Sequence, residues 1–162
     1  MHDSNQLINL VLQTEFVHIL GAGLNSEKPA NSAVKDLSER GWNPIPIHPK
    51  DAGASISGYP IRPMIEDGIG PEIVVLFLAP ERAREAIRKL LIRNYEFPPL
   101  IWFQLGAEDG ISEDWLQDAG WKYVKDAVSY THHRAHETGR NIVCRLLLEK
   151  KKGRGGGGGG GG

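Results

Sequence analysis

The sequence gives little support for disulfides, membrane spans or a leader segment. Cys144 is the only cysteine, so the chain has no internal disulfide framework and no thiolate zinc cluster. No apolar run approaches the roughly 20 residues that a membrane helix needs. The first residues also lack the basic and apolar regions of a secretory signal. We therefore expect a reduced, cytoplasmic protein without a membrane partner.

An excess of charge of either sign is also missing. The chain contains 19 Lys and Arg residues and 20 Asp and Glu residues, which gives a formal net charge of −1. This balance gives no reason to expect nucleic acid as a partner. The 162 residues, 40% of them apolar, suffice for one domain with its own core. We expect an N-terminal helix over residues 1–14, a folded domain over 15–149 and a disordered basic, glycine-rich tail over 150–162.

One stretch organises the rest of the chain. Phe16–Leu20 is a short apolar run, typical of a parallel strand buried on both faces. Gly21-Ala22-Gly23 follows, and a helical pattern begins near Ala30. Glycine permits close approach to the backbone, and a helix start offers free N–H groups and a positive dipole end. The pattern predicts a phosphate or pyrophosphate site; the alternative is a strand-to-helix turn that merely uses glycine.

Strand and helix patterns alternate five times along the chain. The alternation predicts a single Rossmann-like α/β domain, with a five-stranded, mostly parallel sheet and helices on both faces. Pro44 and Pro46 place the second strand near an edge. The later strands are expected at 72–78, Leu100–Phe103 and 121–124, the later helices at 80–93 and from Ser112 to 119, a helical turn at 62–67, and either a helix or a sixth strand at 141–148.

Polar residues around the glycine turn leave the type of nucleotide open. Asn25 and Lys28 are within reach of a phosphate, although a solvated loop is the alternative. Ser26 stands where a dinucleotide motif needs its third glycine, so the match to an NAD site is weak. After the second strand, His48 and a following lysine suit a phosphorylated ribose, whereas Asp51 keeps NAD open. The alternative is a polar strand end without a ligand.

Catalytic and metal sites find less support. His132, His133 and His136 invite a metal hypothesis, but a third and a fourth ligand are not defined, so we expect no metal site. No base pairs with Cys144 in a recognisable motif, and a buried inert thiol is expected there. We expect no catalytic residues, because no paired acid, base or nucleophile stands near the strand ends.

Four short motifs occur in a characteristic order. They are the glycine loop with Lys28-Pro29, G-W-N-P-I-P-I-H-P at 41–49, F-L-A-P at 77–80 and W-F-Q-L-G at 102–106. In order and spacing the chain from about 16 to about 134 resembles the small, single-domain CoA-binding proteins. These are related to the CoA-binding domain of the succinyl-CoA synthetase α subunit. The resemblance implies CoA or an acyl-CoA as the ligand, with NAD(P) less favoured.

The resemblance also implies a role for each matching residue. Gly21, Ala22 and Gly23 would cradle the pyrophosphate, flanked by Lys28 and Pro29. His48 and Pro49 would lie at the adenosine end, Leu78, Ala79 and Pro80 over the adenine or the start of the pantetheine arm, and Gln104 and Gly106 at the mouth of the site.

The chain departs from the family pattern at several positions. Asn43 replaces a basic residue, His48 replaces asparagine, Leu78 replaces arginine, and Asp126 is not followed by the usual cysteine. These changes remove cations or a reactive group. We expect non-catalytic binding of CoA or a related adenine nucleotide. The alternatives are an NAD(P)-dependent oxidoreductase and a degenerate scaffold that binds a protein; the oligomeric state is left open.

Overall fold

The computed structural model describes residues 14–39, 41–66, 70–104 and 106–125. Several expectations lie outside these described residues. They concern the N-terminal helix, Asp126, the histidine cluster at 132–136, Cys144, the segment at 141–148 and the tail.

Within the described residues, five parallel strands form the central sheet and two short strands form a separate pair. In chain order the seven strands are β1 (Phe16–Leu20), β2 (Asn43–Ile47), β3 (Ser55–Ile56), β4 (Tyr59–Pro60), β5 (Ile73–Leu76), β6 (Leu100–Phe103) and β7 (Tyr123–Lys125). The sheet has the order β2-β1-β5-β6-β7, and each neighbouring pair is parallel. The expected five-stranded α/β sheet is confirmed.

Three helices are described: α1 (Pro29–Glu39), α2 (Pro80–Ile92) and α3 (Gly110–Ala119). Apolar residues of α1 pack with Val17 and Ile19 on one face of the sheet. Apolar residues of α2 and α3 pack with Val74 and Leu76 on the other face. Strand residues are apolar toward both faces because helices cover both, which is the Rossmann-like arrangement.

The second strand forms one edge of the sheet, as its two prolines predict. The carbonyl of Pro46 still accepts a hydrogen bond from the Arg62 N–H at 2.9 Å, and the His48 N–H donates to the Arg62 carbonyl at 2.9 Å. Arg62 therefore pairs in parallel with Ile47. The prediction of a helical turn at 62–67 is wrong over residues 62–66. The backbone of Arg62 is instead hydrogen-bonded to the open edge of β2.

A short hairpin was missed by the sequence analysis. Strands β3 and β4 are antiparallel, and the two residues between them, Ser57 and Gly58, have φ angles of 51° and 87°. Two consecutive positive φ angles define the tight type I′ turn, in which glycine is favoured. The hairpin brings Ile56 into the core on the α1 face.

Helix α3 begins two residues earlier than expected. Ser112 was expected to start it, but Asp109 is the N-cap and accepts from the Ser112 N–H at 3.0 Å and the Ser112 hydroxyl at 2.8 Å. Arg84 on α2 donates two further hydrogen bonds to the same carboxylate, at 2.9 and 2.7 Å. The Arg84 guanidinium holds the pKa of Asp109 far below its usual range. This ion pair fixes α3 against α2.

Gly21 lies where the chain leaves β1 beside the end of β5. Its φ is +97°, and a Cβ placed on it would lie 2.3 Å from the main-chain oxygen of Phe77. Its N–H donates to the Ile47 carbonyl at 2.9 Å. Only glycine satisfies both the backbone angle and the space at this crossing.

His18 is a buried polar residue in the middle of β1. It is 1% exposed, and its Nδ1 has no hydrogen-bond partner among the described residues. The pKa of His18 is lowered from 6.5 to about 4, chiefly by desolvation; Arg62 acts in the same direction and Glu72 opposes it. The neutral ring is therefore the form that the folded protein holds near neutral pH.

Gly21→Ala should destabilise the fold far more than Gly120→Ala. Gly120 also has a positive φ, +79°, but an added Cβ there meets nothing within 4 Å. Strain alone should cost Gly120→Ala about 1–2 kcal/mol, while the collision with the Phe77 carbonyl should bring Gly21→Ala to about 3 kcal/mol or more. Urea unfolding of both variants checks this; equal losses would contradict it.

His18→Leu should flatten the dependence of stability on pH. Unfolded histidine takes up a proton below about pH 6.5, whereas folded His18 does so only near pH 4. Protonation of His18 therefore does not affect stability above pH 6.5. Below it, the free energy of unfolding falls by up to about 3 kcal/mol as the pH drops to 4. Urea unfolding across this window should show a smaller loss in His18→Leu than in the wild type; parallel profiles would contradict the assignment.

Candidate functional site

The carboxyl ends of four strands bring predicted site residues into one row. Leu20 is in register with both Ile47 and Leu76, and Leu76 with Phe103. The next residue of each strand is therefore His48, Gly21, Phe77 or Gln104. In the sheet, β2 lies on one side of β1, whereas β6 lies on the opposite side of β5. The chain therefore proceeds in opposite directions across the sheet from β1 and from β5. This is the switch point at which open α/β sheets bind ligands.

Two main-chain donors of the glycine turn have no partner in the part of the chain that the structure describes. The Gly21 N–H is bonded to the Ile47 carbonyl, and the Leu24 N–H donates to Asp51 Oδ2 at 2.9 Å. The N–H groups of Ala22 and Gly23 make no hydrogen bond to any of the described residues. Both residues are buried. A buried N–H without a partner is costly, and an anion at the turn would satisfy both groups.

The loop between the turn and α1 holds itself in shape. Asn25 Oδ1 accepts from the Glu27 N–H at 2.9 Å, so this predicted phosphate ligand is engaged in an Asx turn. Asn31, which the sequence analysis did not single out, donates from Nδ2 to the Gly23 carbonyl at 2.8 Å. Lys28 is exposed and makes no ion pair within the described part of the chain. Its flexible ammonium therefore remains available to a ligand.

Two helices start at the carboxyl ends of the strands, and the residue before each has no side-chain hydrogen-bond acceptor. Helix α1 follows Lys28, whose ammonium cannot accept a hydrogen bond, and begins at Pro29. Helix α2 follows Ala79 and begins at Pro80, with no side-chain cap. Helix α3, in contrast, has a carboxylate cap. The two uncapped N-termini add positive potential at the end of β1 and β5.

Leu78 covers the turn from the side of α2. Its Cδ2 would lie 3.3 Å from a Cβ placed on Gly21. The resemblance noted in the sequence implies arginine here, so an apolar wall stands where a cation was expected beside the turn.

His48 and Asp51 close the other side of the glycine turn. A Cβ placed on Gly23 would lie 2.5 Å from Asp51 Oδ2 and 2.9 Å from His48 Nε2. His48 Nδ1 accepts from the Asp51 N–H at 3.2 Å and lies 3.6 Å from Asp51 Oδ2. The sequence analysis considered Asp51 only as a ribose ligand and missed its bond to the loop. That bond joins residues 27 positions apart, and no local pattern signals it.

Gln104 is the most deeply buried of the predicted mouth residues. Its side chain is 3% exposed, and neither its Oε1 nor its Nε2 has a hydrogen-bond partner among the described residues. Gly106 follows with a φ of +93° and donates its N–H to Glu108 Oε1 at 3.0 Å, so it serves a turn. Pro49 is exposed and lies two residues after the end of β2.

One family departure lies away from the site. Asn43 begins β2, so it is at the amino end of the sheet, about 13 Å along the strand from Ile47. The missing basic residue at this position therefore does not lie in the row of strand ends.

No group of three His, Cys, Asp or Glu side chains in the described ranges is arranged to hold a metal ion. No helix within those ranges has the length and apolar character to cross a membrane.

Solved structures share this architecture. A Thermus thermophilus protein is 25% identical, with a TM-score of 0.68 over 77% of this chain and 92% of that one. A hypothetical protein from Pyrococcus horikoshii is 23% identical, with a TM-score of 0.65 over 76% of this chain and 84% of that one. A conserved hypothetical protein from Pyrococcus furiosus is 22% identical, with a TM-score of 0.60 over 69% and 93%. The similarity to the two Pyrococcus proteins shows the fold alone.

No functionally curated protein matches the chain. The model of one protein family, described as the CoA binding domain, matches residues 16–134. This range contains the glycine turn, the row of strand ends and both uncapped helix starts. The match covers well over half of the sequence, and it confirms the resemblance that the four motifs indicate. The chain therefore belongs to the CoA-binding domain family.

Proposed function

We propose that this protein binds CoA or a related adenine nucleotide, without catalysing a reaction, and that the pyrophosphate lies against the glycine turn. The observation that carries the proposal is that the N–H groups of Ala22 and Gly23 have no hydrogen-bond partner among the described residues and lie near the N-termini of α1 and α2. Main-chain donors of this kind bind phosphate without a cationic side chain. Family membership directs the choice of anion toward CoA.

Some predicted site residues lie next to the glycine turn, and others lie farther along the strand ends. Ala22 and Gly23 would donate to the pyrophosphate, and Lys28 would approach it from the loop. Leu78 offers an apolar wall for the adenine or the first part of an attached arm. Gln104 is two strands away from Gly21, which corresponds to about 10 Å. It lies farther along the row of strand ends, where the pantetheine arm of a bound ligand would extend. Gly21, Asn25, Pro29, Pro49, Ala79, Pro80 and Gly106 would shape the backbone around the ligand.

The engaged side chains at the turn favour binding over catalysis. General acid–base catalysis needs a titratable group within reach of a substrate proton. His48 uses Nδ1 and Asp51 uses Oδ2 to accept main-chain N–H groups. These bonds fit a role in shaping the loop. An NAD(P)-dependent oxidoreductase would need, in addition, a region that holds its second substrate.

A protein-binding scaffold is the remaining alternative. Ile92 and Phe97 are the most exposed large apolar residues in the described ranges, with 67% and 80% of their surface exposed. Ile92 is the last residue of α2 and Phe97 lies in the loop after it, at the amino ends of the strands and so away from the glycine turn. Partner binding there would be insensitive to substitutions at the turn.

Gly23→Ala should weaken nucleotide binding while the domain stays folded. The backbone of Gly23 does not have a positive φ, but an added Cβ collides with Asp51 and His48. Displacing these side chains should distort the turn and lower affinity at least tenfold, which corresponds to about 1.4 kcal/mol. Titration calorimetry with CoA, acetyl-CoA, NAD and ADP measures this.

Gly110→Ala is the matched control, because an added Cβ at the start of α3 meets nothing within 4 Å. It should bind as the wild type does. No heat and no thermal shift with any of the four ligands in the wild type would refute nucleotide binding, and unchanged affinity in Gly23→Ala would refute the turn as its location.

Gln104→Leu should stabilise the ligand-free protein and weaken CoA binding. A buried amide without partners costs about 1–3 kcal/mol, so leucine of similar size should raise the free energy of unfolding by about 1 kcal/mol. The same change should lower CoA affinity about tenfold if the amide serves the ligand. Urea unfolding and calorimetry measure the two effects.

Gln117→Leu on α3 provides the comparison, since the amide of exposed Gln117 already donates to the Tyr123 hydroxyl at 2.7 Å. It should not gain stability. A Gln104→Leu protein that is less stable and binds CoA normally would show that Gln104 has an internal partner instead.

A further inference from the structure

We infer that Asp51 makes the site selective for adenine nucleotides whose ribose carries free hydroxyl groups, against those with a phosphate on the 2′ or 3′ oxygen. This inference rests on the proposed function and narrows its ligand class. Dephospho-CoA, ADP and NAD belong to the favoured class, and CoA and NADP to the disfavoured one.

The position of the Asp51 carboxylate is fixed by the turn itself. Oδ2 accepts the Leu24 N–H at 2.9 Å and would lie 2.5 Å from a Cβ on Gly23. The main chain of Asp51 is held in turn by the hydrogen bond from its N–H to His48 Nδ1. A ligand whose pyrophosphate lies against Ala22 and Gly23 therefore has a carboxylate as its immediate neighbour.

One oxygen of this carboxylate remains available. Oδ1 makes no hydrogen bond within the described part of the chain, and the Asp51 side chain is 30% exposed. A carboxylate oxygen only accepts hydrogen bonds. A ribose hydroxyl supplies the donor that Oδ1 needs, whereas a phosphate supplies more acceptors and negative charge.

The location agrees with general ribose recognition in this class of fold. In doubly wound sheets an acidic residue near the end of the strand beside the glycine turn takes the ribose hydroxyls, and a cation replaces it where the ribose is phosphorylated. Here the acid is Asp51, beyond the end of β2. The same carboxylate would repel a ribose phosphate at short range, where few water molecules screen the two charges.

The neighbouring cations are less firmly placed than the carboxylate. His48 already faces Asp51, because its Nδ1 accepts the Asp51 N–H at 3.2 Å and lies 3.6 Å from Asp51 Oδ2. Lys28 and Lys50 are both exposed, and neither makes an ion pair with a described residue. Each would have to give up side-chain freedom to hold a ribose phosphate against a fixed negative group.

Calorimetry with matched ligand pairs tests the inference. The wild type should bind dephospho-CoA about tenfold more tightly than CoA, and NAD more tightly than NADP. Higher salt should reduce both ratios, because screening weakens the repulsion. Asp51→Asn keeps an oxygen acceptor for the Leu24 N–H but removes the charge, so it should bring the ratio for the CoA pair below about threefold. Asp118→Asn, an exposed substitution on α3, should keep the wild-type ratios.

Failure of the inference can be told apart from failure of the proposed function. If none of the ligands binds, nucleotide binding itself is refuted. If CoA binds as tightly as dephospho-CoA or more tightly, nucleotide binding holds and selection by Asp51 is overturned. An unchanged ratio in Asp51→Asn also overturns it. Should that variant not fold, the wild-type ratios and their salt dependence decide, since only charge repulsion predicts that both shrink with salt.

Discussion

The contact between Gly21 and the main chain of Phe77 determines what this edge of the sheet can do. The two strands β1 and β5 diverge here, and a side chain at position 21 would collide with the Phe77 carbonyl at 2.3 Å. Because the turn stays this close to the sheet, the next two N–H groups lie between the starts of α1 and α2. The binding that we propose would thus depend on backbone geometry, with few side chains involved. This explains how the chain can replace several polar family residues and keep the turn.

Asp51 shows that the same turn is held together by a charge that opposes anions. Its carboxylate uses one of the turn's donors, the Leu24 N–H, and holds the loop against the end of β2. The loop is consequently pre-organised, which lowers the entropy that a ligand must remove on binding. The charge of Asp51 would have the opposite effect on ligand affinity, since a fixed negative group beside the glycine turn would weaken the attraction of additional phosphates. Shape and charge at the turn are coupled through one side chain.

The strength of the local signal decided which features the sequence could predict. Short apolar runs gave the bounds of Phe16–Leu20 and Leu100–Phe103 as observed, because burial on both faces requires such runs. The last strand begins at Tyr123 and not at 121, since the Trp121 N–H still bonds to the Leu116 carbonyl at the end of α3. The glycine turn was predictable from spacing. The bonds of Asp51 and Asn31 to that turn depend on the folded path of the chain, and no periodicity encodes them.

His18 and Gln104 illustrate the difference between a polar residue that the fold tolerates and one that a ligand would explain. Both are buried and lack a partner for a side-chain atom within the described ranges. His18 lies in the middle of β1 and avoids the larger penalty by staying neutral, which its lowered pKa reflects. The amide of Gln104 cannot lower its desolvation cost in this way, because it does not change its protonation state. Gln104 also lies at the carboxyl end of its strand, where a ligand can reach. The unpaired amide therefore points to ligand recognition more directly than the unpaired imidazole does.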